Sequence, residues 1–169
     1  MARFSKNTLV QIAGFSNDVL CEELLFGQDS YWNLNLTDGT TANGVLDLTD
    51  WTFKLRLIRR SVTAITDTRN GIEIEGLGAV PGAAEQVLDD SVKVYDPVNG
   101  KVRILIDDTF FSTVQPAIDS ETPPVYTGYF GATAPEVGQV GDLDYIPPQQ
   151  KKILLCFIIN SDGISSQTA

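Results

Sequence analysis

Apolar residues recur at every second position over much of this chain, the period of strands that lay one face on a core. Residues 29–37 (DSYWNLNLT) place Trp32, Leu34 and Leu36 on one side and Tyr31, Asn33 and Asn35 on the other. Residues 51–57 (WTFKLRL) alternate more sharply, with Trp51, Phe53, Leu55 and Leu57 expected inward and Thr52, Lys54 and Arg56 outward. Ile58 interrupts that alternation, which predicts a bulge or a strand end there. Residues 92–95 and 101–106 (KVRILI) read as two strands joined by DPVNG. Pro97 presets φ in that turn, and Asn99-Gly100 tolerate positive φ, so this is the clearest hairpin in the chain. Residues 125–130 form another strand candidate between Pro123-Pro124 and Gly131, and residues 8–13 an edge strand.

Residues 151–159 (KKILLCFII) are apolar on both faces. Such a strand is either central and covered on both sides, or has one face in a partner. Helix is scarce. Residues 18–26 (DVLCEELLF) are the best case, with Asp18 as N-cap, Glu22 and Glu23 near the start, and Gly27 just past the end; the segment is short, and an extended conformation is the alternative. Residues 107–114 predict a helical turn that packs Phe110 and Phe111. Two segments echo each other, LNLTDGT (34–40) and LDLTDWT (46–52). There is no third copy, so this is not a repeat array. The echo marks the exit and re-entry of neighbouring strands. Small-residue loops are expected over 76–84, 115–124 and 131–150, and no linker or charge block divides the chain. The organisation expected is one domain over 1–169, with an extended arm at 1–7 and a tail at 160–169.

Composition narrows the chemistry. A formal charge of -10 argues against nucleic acid as a partner, because counterion displacement needs a basic surface. The longest apolar run, residues 153–159, is too short for a membrane-spanning helix, and no apolar run of leader type follows Arg3 and Lys6. The absence of histidine removes the commonest general base and transition-metal ligand. Cys21 and Cys156 lie among apolar neighbours and are read as buried free thiols, a disulfide being the alternative.

The remaining candidates are weaker. GLGAVPG (76–82) lacks the G-K-[ST] ending of a phosphate loop. The carboxylate pairs Asp89-Asp90, Asp107-Asp108 and Asp142/Asp144 lack the spacing of a calcium loop and read as solvated turn residues. The sequon Asn35-Leu36-Thr37 falls inside a strand. Lys54, Arg56, Arg59 and Arg60 are the one basic cluster. They are read either as an ordinary solvated face or as a salt-bridging contact with an acidic partner, another copy of this chain included. No catalytic, cofactor or metal site is expected.

The stretch 26–60, FGQDSYWNLNLTDGTTANGVLDLTDWTFKLRLIRR, resembles the N-terminal module of tailed-phage baseplate upper proteins and related small virion structural proteins. Gly27 and Asp29 stand at the start of that pattern, Asp38-Gly39 form its turn, and Asp47-Leu48-Thr49 match its second element. Asp50 stands where the pattern has glycine, and Trp51 follows. NGKVRILIDDTFF (99–111) is similar to the family's Gly-x-Val strand and short helical turn, and YTGYFGA (126–132) to its Gly-Tyr strand. The resemblance implies an all-β antiparallel sandwich, immunoglobulin-like in outline, with long loops and at most one or two short helices. It implies a non-enzymatic structural protein of a bacteriophage virion, made in the host cytoplasm. Such a protein would serve as a tail or baseplate adaptor or a capsid decoration protein, in oligomeric assembly with other virion proteins and copies of itself, without cofactor, nucleic acid or membrane. The competing expectation is a carbohydrate-binding sandwich that recognises a host surface through Tyr31, Tyr126, Tyr129 or Tyr145 beside Asp and Asn.

Overall fold

The computed structural model describes residues 2–6, 11–13, 19–37, 44–68, 71–114 and 123–160. The chain forms β1 (Ala2–Lys6), β2 (Gln11–Ala13), β3 (Val19–Leu25), β4 (Ser30–Thr37), β5 (Thr52–Ser61), β6 (Ala64–Thr68) and β7 (Gly71–Glu75). Then follow β8 (Gly78–Ala79), β9 (Gln86–Val87), β10 (Val92–Asp96), β11 (Lys101–Ile106), the short helix α1 (Asp108–Thr113), β12 (Val125–Thr133) and β13 (Gln150–Asn160). They build an all-β sandwich. One sheet runs β6-β7-β1-β3-β13-β12-β5-β8, with β9 also on β5, and the facing sheet runs β10-β11-β4-β2. Most neighbours are antiparallel; β1–β3, β3–β13 and β2–β4 are parallel.

The alternation read from the sequence decides which side chains meet between the sheets. Trp32, Leu34 and Leu36 of β4 and Val102, Ile104 and Ile106 of β11 are buried from the smaller sheet. Leu55 and Leu57 of β5, Phe130 of β12, and Ile153, Leu155, Phe157 and Ile159 of β13 meet them from the larger one. Burying one such side chain contributes about 1.5–3 kcal/mol, so this layer is the main source of cohesion. Asp107 caps α1 by accepting from the Thr109 and Phe110 amides at 3.0 and 3.2 Å. The cap turns Phe110 and Phe111 into the same core. Trp32 is a core anchor, and Trp51 is half-buried against the core.

A second, smaller core lies on the opposite face of the larger sheet. There Ile72 and Ile74 of β7 pack with Cys21, Val125, Cys156 and Ile158, and half-buried Val62 and Ile65 join them. This is why β13 is apolar on both faces. It is central, between β3 and β12, and Ile158 and Cys156 are covered on the side that Phe157 and Leu155 do not use. Residues 2–6 are paired as β1 between β7 and β3.

Two expectations are corrected. Over 18–26 the extended alternative holds and the helix does not: the segment forms the strand β3, and Asp18 lies outside the described residues. Leu20 and Leu24 share a face in either conformation, but only the strand also delivers Cys21 to the second core while bonding β13 in register. No strand end falls at Ile58. β5 continues to Ser61, paired with β12 without a break from Thr52 to Arg60, and Ile58 takes its alternate place on the outer face. The residue 8–13 strand is found at 11–13, as the edge strand β2; residues 8–10 lie outside the described residues, as do 115–122 of the second loop and 161–169 of the tail. The 92–106 hairpin forms as expected, with Gly100 at φ 69°. A β-carbon there would collide with the Leu36 and Leu46 carbonyl oxygens, so the close approach also requires glycine.

Candidate functional site

Three strands of the larger sheet carry matched rows of side chains on their outer face. Pairing aligns Lys152, Gly131 and Lys54; then Leu154, Tyr129 and Arg56; then Cys156, Thr127 and Ile58; then Ile158, Val125 and Arg60. β7 covers the last row. The middle of the face is left open as a trough of about 470 Å³, floored by Ile58, Tyr129 and Leu154 and walled by Leu77, Gly78 and Glu85. Leu77 and Leu154 are exposed large apolar residues.

The basic cluster expected from the sequence is divided by the strand's alternation. Lys54, Arg56 and Arg60 point to the outer face, whereas Arg59, paired with buried Tyr126, lies on the other side of β5. Arg56 is held within its own chain: it pairs with Asp89 and lies 3.7 Å from Glu85. Asp89 also accepts from the Leu55 amide at 2.9 Å, so it locks the 85–91 segment against β5. The Arg60 Nε donates to Thr127 Oγ1 at 2.8 Å. Lys152 extends over the Tyr129 ring with its ammonium 4.4 Å from the centroid, a cation–π contact on the rim. The result is an apolar floor bordered by Arg60, by Lys152 and by the Arg56–Glu85 pair, with Lys54 exposed beyond them.

The β12–β13 connection is the other distinctive surface. Residues 134–149 form an ordered arm rather than a structureless loop. Ala134 donates to Gln149 at 2.9 Å, and Val137 and Ile146 exchange backbone bonds at 2.9 and 2.8 Å. At the tip, the Asp142 carboxylate accepts from the Gln139 amide at 3.1 Å. The Tyr145 hydroxyl donates to Glu136 at 3.1 Å, and that bond holds the phenol above its ordinary pKa. While its backbone is satisfied internally, the arm turns Val140 (82% exposed) and Leu143 (108%) to solvent, with Val137 and Ile146 also exposed. Exposed apolar residues on a segment that satisfies its own backbone make it a candidate interaction surface. No local periodicity announced the arm; its signal was Val, Val, Leu and Ile spaced among Gly, Asp and Pro.

The aromatic candidates are dispersed. Tyr126 is buried, Tyr129 sits under Lys152, and Tyr145 belongs to the arm. Tyr31 is exposed on the smaller sheet, where it and Tyr95 flank the Arg103 guanidinium at 4.3 and 4.4 Å. Arg103 Nε also donates to Asn33 at 2.9 Å. Among the described residues no group of three or more Cys, Asp or Glu gathers that could hold a metal ion, and no helix is long and apolar enough to cross a membrane. Asp107 and Asp89 are occupied as the α1 cap and the Arg56 partner.

Compared with protein-family models, the chain matches none, and no curated protein matches it in sequence.

Proposed function

We propose that this chain is a non-enzymatic structural protein of a tailed-phage virion, working through protein–protein contacts as a tail or baseplate adaptor or capsid decoration protein. The observation that carries the reading is the arm at 134–149, which satisfies its own backbone and spends its apolar side chains on solvent. A side chain such as Leu143 gains from burial only when a neighbour covers it. The resemblance of residues 26–60 to baseplate upper proteins gives the neighbour its class. The turn geometry agrees with that resemblance: Asp50, standing where the pattern has glycine, adopts φ 64°. The test is composition. Phage particles purified on a density gradient, from an infection by the phage that encodes this chain, should contain it in stoichiometric amount by quantitative mass spectrometry. Its absence from washed particles would overturn the reading.

A second reading, glycan recognition, rests on the exposed Tyr31–Arg103–Tyr95 stack beside Asn33. Sugar binding there should disappear in Tyr31→Ala on a glycan array; silence of the unaltered protein removes this reading.

A further inference from the structure

We propose that the arm tip of one copy docks in the outer-face trough of a second copy, a contact that rests on the structural role just described and names its partner. The two surfaces match in apolar character and in charge. The arm is apolar at its tip, with Val140 and Leu143 its most exposed large side chains. The trough is concave, with Ile58, Leu77, Tyr129 and Leu154 in its lining and about 470 Å³ of space, room for a few side chains. Residues 131–150 carry Glu136, Asp142 and Asp144 and no Lys or Arg. The trough is bordered by Arg60 and by Lys152, with Lys54 farther along the same face. Glu85 also lines the trough but is paired with Arg56, so Arg60 and Lys152 leave this border locally positive on a chain of net charge -10, where copies otherwise repel. The charged rim therefore selects the docking register, and the apolar tip supplies cohesion.

The two halves are different surfaces of one molecule. The tip lies out of its own trough, because Val140 and Leu143 remain exposed and neither lines it. A contact between two different patches either closes reciprocally in a twofold pair or propagates into a ring or filament. Such a contact suits a component used in many copies.

Analytical ultracentrifugation across a concentration series tests this. Unaltered protein should self-associate, more weakly at high salt because the rim charges are screened. An arm variant, Val140→Asp with Leu143→Asp, and a trough variant, Arg60→Glu with Lys152→Glu, should each associate about tenfold or more weakly. Mixed, they should form a 1:1 pair, since the first retains a trough and the second an arm. Thermal melts establish that both variants are folded. If the trough pair unfolds, Lys152→Glu alone replaces it, because that side chain is exposed. Unaltered protein that stays monomeric, variants that associate undiminished, or a mixture that stays monomeric overturns the contact. Particle composition is read separately, so a chain found in virions yet monomeric alone would refute the self-contact and leave the structural role standing.

Discussion

Cys21 and Cys156 stand in register on the parallel strands β3 and β13, two free thiols side by side beneath Ile72 and Ile74. The hydrogen bond to Cys21, then burial, hold the Cys156 thiol far above its ordinary ionisation range. Folding thus favours the protonated thiol. Its contribution is full below the unfolded value of about 8.5 and declines as pH rises beyond it, because only the unfolded chain then ionises freely. Both thiols should resist a disulfide-exchange reagent at mildly alkaline pH and react fully once denatured. Rapid reaction of the native protein at both sites would contradict this packing.

Asp50 is the only non-glycine residue with positive φ among those described. Asp and Asn tolerate that region better than other side chains, and β-branched residues do worst. Just before it, Asp47 accepts from the Thr49 amide and hydroxyl at 3.0 and 2.6 Å, which fixes the turn that launches β5. Asp50→Asn and Asp50→Gly should change stability by less than about 1 kcal/mol, and Asp50→Val should cost about 1–3 kcal/mol. Urea denaturation of the three variants decides it; equal stability for the valine variant would mean that the turn takes another conformation.

Phe157 joins the two sheets and the helix. Its ring meets Trp32 edge-on at 5.4 Å and Phe110 at 5.8 Å, and it is fully buried. Truncation to alanine should cost about 3–5 kcal/mol, whereas Phe157→Leu should cost markedly less. Calorimetric unfolding measures both.

The Tyr145 hydroxyl donates to Glu136, so ionising the phenol would set two negative groups against each other. The raised pKa means that the link persists through neutral and mildly alkaline pH and is lost as pH rises past the ordinary tyrosine value of about 10. Glu136→Gln should return Tyr145 toward that value in an ultraviolet absorbance titration. An unchanged titration curve would show that the carboxylate does not govern the ring.

The parts of the fold that were legible were those with one wet and one dry face. In β4, β5 and β11, alternation alone named the inward residues, and Pro97 and Gly100 located the β10–β11 turn. β3 was ambiguous because Leu20 and Leu24 repeat at a spacing that helix and strand share, and helix was favoured because Glu22 and Gly27 imitate helix punctuation. What overruled them was the partner strand 130 residues and more away, visible only in the pairing of Leu20 with Leu155. The basic cluster was visible as composition, but its division into Arg56, Arg60 and an oppositely placed Arg59 follows from the strand length, which Ile58 disguised. The trough was not legible at all. It is assembled from β5, β12, β13 and residues 77–85, which no local window contains.

The placement of β13 also sets the order in which this protein can be made. Residues 19–25 and 125–133 flank a slot that only residues 150–160 fill. Until that segment leaves the ribosome, the larger sheet exists as two halves with open, apolar edges, and neither core can close. Native pairing then joins positions far apart in sequence, which slows folding and prolongs exposure of those edges. The central strand, made late, is therefore the piece on which closure of both cores waits.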